Sequence, residues 1–195
     1  MTAAIALPRN RVLADALPGG LVRDAVLVLG GTGLIALSAQ VAVPLWFTPV
    51  PLSLQTLAVL LTGAALGLRR GALSSVLYLV AGVAGAPWFA QQHSGWQFAS
   101  FGYIVGFIAA AALVGWLAQR GGDRTVARTA GTMALGNLAI YAFGVPWLMG
   151  FAHLSLGKAL ALGVVPFLAG DAIKIAVAAG LLPASWKLVR RVESR

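Results

Sequence analysis

The stretch LALGVVPFLAGDAIKIAVAAGLL, residues 160–182, is apolar along its whole length except at Asp171 and Lys174. A helix crosses the hydrocarbon core of a bilayer in about 20 residues, so a run of this length predicts a membrane-spanning helix. Because Asp171 and Lys174 are three positions apart, they project from the same face of that helix. A charged side chain near the bilayer centre costs roughly 2.5–3.5 kcal/mol. The pair therefore needs a polar cavity, partner groups or a ligand.

Two roles are open to this buried pair. One is a salt bridge that fastens the helix to itself or to its neighbours, but buried ion pairs contribute little net stability once desolvation is counted. The other is a small-molecule site in which the two charges hold a ligand. We favour the ligand site, because a buried pair kept only for structure would gain the fold very little.

The composition of the whole chain predicts an integral membrane protein. Of its 195 residues, 59% are hydrophobic and 10% are charged, whereas soluble domains average about 25% charged residues. A surface so poor in charge would not stay in water. The chain has no cysteine, which excludes disulfides, thiolate metal sites and cysteine nucleophiles.

Further apolar runs upstream are also long enough to cross a bilayer. Buried strands of a parallel sheet are shorter, about 4–8 residues, which argues against a β fold. We therefore expect an all-α membrane protein, a bundle of six transmembrane helices. The expected regions are a short cytoplasmic N-terminal lead (1–24), a six-helix transmembrane domain (25–185) and a basic cytoplasmic tail (186–195). The predicted spans are residues 25–43, 52–68, 72–90, 101–118, 129–151 and 160–182.

The positions of the basic residues predict the orientation of the bundle. The net charge of +9 is divided into small groups between alternate spans, as the positive-inside rule expects of cytoplasmic segments. With six spans these groups fall on one side, so both termini should be cytoplasmic. The same distribution argues against a nucleic-acid partner. The groups are Arg9, Arg11 and Arg23; Arg69 and Arg70; Arg120, Arg124 and Arg128; and Lys187, Arg190, Arg191 and Arg195.

The predicted loop 43–53, on the opposite side, is rich in proline and aromatic residues. An aromatic belt at the lipid headgroups is one interpretation, because tryptophan is enriched there. The alternative is a lid over an outward-facing pocket, since aromatic side chains offer a large apolar surface. The candidate lid residues are Trp46, Phe47 and Pro49.

Polar side chains inside the spans are candidates for further ligand contacts. Asn137 and Tyr141 are four positions apart and share a helix face, and Gln55 lies near the outer end of the second predicted span. Hydrogen bonding between helices, worth about 0.6 kcal/mol on average, is the alternative role for such residues. A buried Asp and Lys that need partners favour the site.

No motif in the sequence predicts catalysis. His93 and His153 lie in predicted loops without a carboxylate nearby in sequence, and HExxH and GxSxG patterns are absent. A P-loop is absent as well. We therefore expect neither catalytic residues nor a metal site, and no ATP hydrolysis by this chain.

Two blocks of sequence together resemble the signature of the BioY family. They are Thr-Pro-Val-Pro-Leu-Ser-Leu-Gln-Thr at 48–56 and Pro-Phe-Leu-Ala-Gly-Asp-Ala-Ile-Lys at 166–174. The similarity extends over nearly the whole chain after the N-terminal lead, including Gly-Ala-Pro-Trp-Phe at 85–89 and Tyr-Ala-Phe-Gly at 141–144. Members of that family are the substrate-capture (S) components of energy-coupling factor (ECF) biotin transporters.

The resemblance implies a six-helix S-component bundle that binds biotin with high affinity near its extracytoplasmic face. It also implies that uptake across the cytoplasmic membrane needs two kinds of partner, a transmembrane coupling subunit and two ATPase subunits. Biotin would be the transported ligand, and no cofactor is expected. One departure is at 98–103, Phe-Ala-Ser-Phe-Gly-Tyr, where only the final Gly-Tyr keeps the family pattern.

Biotin has a ureido ring, an apolar arm and a carboxylate, so its site needs an anion partner, hydrogen-bonding groups and apolar walls. We expect Lys174 to meet the carboxylate and Asp171 to meet the ureido N–H groups. The arrangement in which both residues hold the ureido group stays open. The supporting contacts are predicted at Gln55, Asn137, Tyr141 and Tyr103, with Trp46, Phe47 and Pro49 as the lid.

Other functions remain possible from the sequence. The chain could be an S component for another vitamin, or a self-sufficient proton-coupled carrier that uses Asp171. A membrane enzyme is disfavoured by the missing catalytic residues. A structural assembly subunit would retain the polar pair without binding a ligand.

Overall fold

The computed structural model describes residues 11–193, and most of them are helical. Five helical segments in this part of the chain are long and apolar enough to cross a membrane, the last of them spanning Leu156–Glu193. The predicted class, an all-α membrane protein, is confirmed. The helices are α1 (Leu21–Gln40), α2 (Gln55–Val83), α3 (Phe101–Gln119), α4 (Val126–Ala152), α5 (Leu156–Gly163) and α6 (Leu168–Glu193). Short 3-10 turns occupy Leu13–Ala16, Ala90–Gln92 and Val165–Phe167.

The second helix, α2, is broken at Gly67. The Gly67 backbone has φ 83° and ψ 179°, a conformation that is essentially restricted to glycine. The chain folds back at this point, because Gln55 Nε2 lies 2.6 Å from the Tyr78 hydroxyl oxygen. In an unbroken helix these two residues would be about 35 Å apart. The two arms, residues 55–66 and 68–83, lie where the sequence predicts two separate spans.

The last predicted span, 160–182, is interrupted in the structure, and the expectation of one continuous helix there needs correction. Helix α5 ends at Gly163 and α6 begins at Leu168, with a 3-10 turn between them. Pro166 explains the interruption, because proline lacks an N–H and disfavours helical dihedrals in the residue before it. Asp171 consequently lies in the first turn of α6, where the positive end of the helix dipole favours a carboxylate.

Glycines allow the central helices to pack closely. A Cβ added at Gly63 of α2 would lie 2.7 Å from the Ala111 carbonyl oxygen of α3, and one at Gly106 of α3 would lie 2.9 Å from the Ile140 carbonyl oxygen of α4. Backbones approach this closely only where side chains are absent or small. Helix α3 is therefore held tightly between α2 and α4.

Many charged residues gather at one end of the bundle. Arg70 in α2 donates hydrogen bonds to Asp15 at 3.0 Å. Arg124, between α3 and α4, donates to the Arg11 carbonyl oxygen at 2.7 Å, and Arg11 pairs with Glu193 of α6 at 2.7 Å. We call these five residues the charged end. It includes members of three of the four basic groups, and Glu193 lies two positions from Arg191 of the fourth.

The predicted region boundaries differ from the helix ends. Helix α1 begins at Leu21, inside the predicted lead, and α6 continues through the predicted tail to Glu193. Within the lead, Val12 and Ala14 are buried. The rest of the lead (1–10) and the end of the tail (194–195), with Arg9 and Arg195, lie outside the described residues.

Candidate ligand-binding cavity

A cavity lies at the end of the bundle away from the charged end. It has about 550 Å³ of empty space, a volume that includes space open to solvent. The starts of α2, α3 and α6 and the middle of α4 form its walls. Its apolar wall includes Ile104, Phe107, Ile140 and Phe167. The cavity therefore offers the mixture of apolar surface and a few polar groups that small-molecule sites have.

Asp171 and Lys174 lie on the cavity wall, and each has a second polar partner. The Lys174 Nζ lies 3.5 Å from Asp171 Oδ1, and the two side chains are 11% and 8% exposed. Lys174 also donates a hydrogen bond to Thr56 Oγ1 at 2.8 Å. The Tyr141 hydroxyl donates to Asp171 Oδ2. Buried charges need such pairing and hydrogen bonding. These contacts therefore keep the Asp171 and Lys174 side chains at the cavity wall.

Two hydroxyl groups fix the break between α5 and α6 beside the cavity. Tyr103 donates a hydrogen bond to the Gly163 carbonyl oxygen at 2.9 Å. Thr48, in the loop before α2, donates to the Leu162 carbonyl oxygen at 2.7 Å. These carbonyl groups end a helix and have no partner inside it. The two hydrogen bonds therefore satisfy the helix end and fix the start of α6, which carries the ion pair.

The structure brings six of the predicted site residues together. They come from α2, α3, α4 and α6, and all of them line the cavity: Gln55, Tyr103, Asn137, Tyr141, Asp171 and Lys174. In the sequence these residues are distributed over more than half of the chain, so the tertiary structure brings them to one cavity. Their role in binding a ligand is still a prediction.

The three predicted lid residues are not among those that line the cavity. Trp46 is 96% exposed and packs edge-to-face against Phe47, and Pro49 is also exposed. The loop contributes its following residues instead, because strands β1 (Ala42–Val43) and β2 (Leu52–Ser53) pair as a short antiparallel ladder. This pairing holds the base of the loop at the cavity and leaves the aromatic tip outside. The loop residues that line the cavity are Val50, Pro51, Leu52 and Ser53.

Thr56 lines the cavity and binds Lys174, but the sequence analysis did not select it. It directly follows Gln55, and both residues lie in the first turn of α2. Two adjacent polar residues at the start of an apolar helix could have indicated a site. The partnership with Lys174 could not have been found, because 118 positions separate the two residues.

The described part of the chain is an apolar helical bundle with a polar-lined cavity at one end. The structure and the spans define a multi-pass membrane protein. The chain belongs to the BioY family, whose profile matches residues 8–191.

Relatives in two bacteria support this assignment. The chain is 36% identical over 168 residues to a protein of Rhizobium etli named biotin transporter BioY, covering 80% of this chain and 89% of the relative. A protein of Thermotoga maritima with the same name is 37% identical over 151 residues, covering 76% of this chain and 86% of the relative. The family is thus one of transporters and not of enzymes.

The fold is similar to that of a solved structure. That structure is described as the S component for biotin from an ECF-type ABC transporter. The TM-score is 0.73 at 21% sequence identity, and the match covers 89% of this chain and 92% of the other. The similarity therefore extends over nearly the whole chain.

Proposed function

We propose that this chain binds biotin in the cavity beside Asp171 and Lys174 and takes it up across the cytoplasmic membrane as the S component of an ECF transporter. The observation that carries the proposal is the convergence of polar side chains from four helices on one largely apolar cavity. The names of the relatives and the fold of the solved S component support biotin as the ligand.

The polar groups of the cavity match the ureido group of biotin. The Lys174 Nζ and the Asp171 carboxylate are 3.5 Å apart, whereas the carboxylate and the ureido group of biotin lie at opposite ends of an extended arm. This short separation supports the arrangement in which both residues hold the ureido group. Lys174 donates to the ureido oxygen, and Asp171 accepts from a ureido N–H. Ile104, Phe107 and Ile140 offer apolar surface to the rings and the arm.

The bundle crosses the membrane six times in this proposal, with both arms of α2 counted as spans. The charged end faces the cytoplasm, as expected for segments that carry an excess of arginine and lysine. The cavity then faces the extracytoplasmic side, where a substrate-capture protein meets its ligand. An even number of crossings leaves both termini in the cytoplasm.

Energy for uptake comes from partner proteins in this proposal. The sequence lacks a P-loop, so a transmembrane coupling subunit and two ATPase subunits supply the drive. Binding then belongs to this chain alone, and concentrative uptake belongs to the complex. Removing the coupling subunit should leave biotin binding intact and reduce uptake.

Calorimetry on the purified protein tests the site. We expect Asp171→Asn or Lys174→Ala to lower biotin affinity at least tenfold, because each change leaves a buried polar partner unpaired, at a cost of about 1–3 kcal/mol. Lys158→Ala is the matched control, since Lys158 is exposed on α5 and does not line the cavity. Unchanged affinity in both site variants would end the assignment of these residues.

Competing functions predict different results in two assays, a ligand panel with the purified protein and uptake by cells. An S component for another vitamin would bind that vitamin more tightly than biotin in a ligand panel. A proton-coupled carrier would lose uptake on addition of an uncoupler and keep it during ATP depletion. Either result would overturn the proposed function, whereas retention of biotin by the isolated chain supports it.

A further inference from the structure

Gln55 begins a chain of hydrogen bonds that leads away from the cavity. Its Nε2 donates to the Tyr78 hydroxyl oxygen at 2.6 Å, and that hydroxyl donates to the Trp88 carbonyl oxygen at 3.2 Å. Tyr78 is fully buried and is not among the residues that line the cavity. Tyr78 itself is thus outside the cavity but is hydrogen-bonded directly to Gln55, which lines it.

The donor and acceptor in each of these hydrogen bonds follow from the chemistry of the groups that form them. A tyrosine hydroxyl has one hydrogen to donate, and a carbonyl oxygen can only accept. The single Tyr78 hydrogen therefore belongs to the bond with Trp88, and the bond with Gln55 must be donated by the Gln55 NH₂ group. The opposite end of the amide, Oε1, accepts a hydrogen bond from the hydroxyl of Ser53 at 3.4 Å, a residue of the cavity wall. An amide oxygen has two acceptor sites, so one remains for a donor on the ligand.

The Tyr78 hydroxyl is held firmly in this position by its surroundings. Its ring stacks on Trp88 with centroids 5.5 Å apart and contacts Phe89 edge-to-face at 5.2 Å. The indole Nε1 of Trp88 also donates to the Tyr78 carbonyl oxygen at 3.0 Å. Ring stacking and hydrogen bonds to the backbone therefore both connect Tyr78 with Trp88. They restrict movement of the Tyr78 hydroxyl, which stays hydrogen-bonded to the Gln55 amide.

We propose that Tyr78 is a positioning residue that orients the Gln55 amide so that its carbonyl oxygen faces the ligand. Gln55 then selects for an N–H donor, and at neutral pH the only N–H donors of biotin are in its ureido group. This inference rests on the proposed function, because it assigns the ureido end of biotin to the start of α2. It adds a determinant of ligand specificity behind the cavity wall.

The substitution Tyr78→Phe tests the proposal, because it removes the hydroxyl and keeps the ring stack. The freed amide can rotate and place its NH₂ group towards the ligand, so we expect biotin affinity to fall roughly tenfold in calorimetry. Gln40→Ala is the matched control. The Gln40 NH₂ group donates to the same Trp88 carbonyl oxygen at 3.0 Å and to the Ala36 carbonyl oxygen at 3.1 Å. Gln40 does not line the cavity, and its loss should leave affinity unchanged.

A double-mutant comparison separates positioning from a purely structural role. In a Gln55→Ala background, Tyr78→Phe should cause no further loss of affinity, because there is no amide left to orient. An analogue of biotin methylated at both ureido nitrogens should be bound equally well by wild type and by Tyr78→Phe. Wild-type affinity in Tyr78→Phe, or the same loss in the Gln55→Ala background, would overturn the inference.

The proposal stays testable if Tyr78→Phe fails to fold. Gln55→Leu should then weaken biotin binding and leave binding of the methylated analogue unchanged, and equal losses for both ligands would overturn it. Failure of the proposed function itself is a separate result, since wild-type protein that binds no biotin would reveal it before any variant is made.

Discussion

At the scale of single residues, the neutral hydroxyl of Thr56 explains how Lys174 is kept at the cavity. A buried ammonium group needs more than one partner, and Asp171 lies at 3.5 Å, too far for a strong hydrogen bond. Thr56 Oγ1 accepts at 2.8 Å and so fixes the direction of the lysine side chain. The position of the cation therefore depends on α2 as well as on α6.

The substitution Thr56→Val keeps the shape of the side chain and removes this acceptor. We expect biotin affinity to fall about three- to tenfold, the net worth of one typical intramolecular hydrogen bond, measured by calorimetry. Thr62→Val on the same arm of α2 is the matched control, because the buried Thr62 Oγ1 has no hydrogen-bond partner among residues 11–193. Equal affinities of Thr56→Val and wild type would contradict this role.

At the scale of elements, the break in α2 decides which residues meet. Only because the chain reverses at Gly67 do Gln55 and Tyr78 come within hydrogen-bond distance. The reversal uses a backbone conformation with φ 83° and ψ 179°. Other residues in that region carry a strain of about 1–3 kcal/mol.

The substitution Gly67→Ala should destabilise the protein by about 1–3 kcal/mol, seen as a lower melting temperature in detergent. The added Cβ would also lie 3.2 Å from the Gln119 side chain and 3.4 Å from that of Val12. Gly33→Ala is the control, since a Cβ there meets nothing within 4 Å and alanine favours a helix by up to about 1 kcal/mol. If Gly67→Ala melted no lower than Gly33→Ala, the argument from strain would be wrong.

At the scale of the whole molecule, a buried cluster joins the loop between α3 and α4 to the end of α6. The Trp186 indole Nε1 donates to Asp123 Oδ2 at 2.6 Å, and Asp123 is fully buried. The Arg124 guanidinium lies over the Trp186 ring, 3.4 Å from its centroid. Arg124 also holds the Arg11 carbonyl oxygen, so the cluster connects three distant parts of the chain.

This cluster predicts a pH dependence of stability. Burial raises the pKa of the Asp123 carboxyl above its ordinary value, and the contacts with Trp186 and Arg124 oppose that rise only in part. The folded state then binds more protons than the unfolded state. The contribution of the Asp123 carboxyl to the free energy of unfolding is fully present below its pKa in the unfolded chain, about 3.9. It falls as pH rises from there towards the pKa in the folded protein.

The substitution Asp123→Asn keeps an acceptor for Trp186 and removes the titration. The melting temperature of the wild type should therefore fall more steeply as pH rises above about 4 than that of the variant, when both are followed in detergent. Parallel curves would mean that Asp123 does not contribute to the pH dependence.

The sequence by itself determined that this protein is a helical membrane protein and that Asp171 and Lys174 mark a polar site. Both conclusions depend on local quantities, the length of apolar runs and the cost of a charge within them, which can be summed along the chain. Membership of the BioY family followed from residue blocks that are also local in sequence.

Only the tertiary structure decided how the site is built. It turned Trp46 to the outside, paired Lys174 with Thr56 and placed Tyr78 behind Gln55. Each of these contacts or exposures depends on how the helices pack across long separations in sequence. Hydrophobicity and spacing do not specify such packing, because many arrangements of the same apolar helices would satisfy the same local pattern.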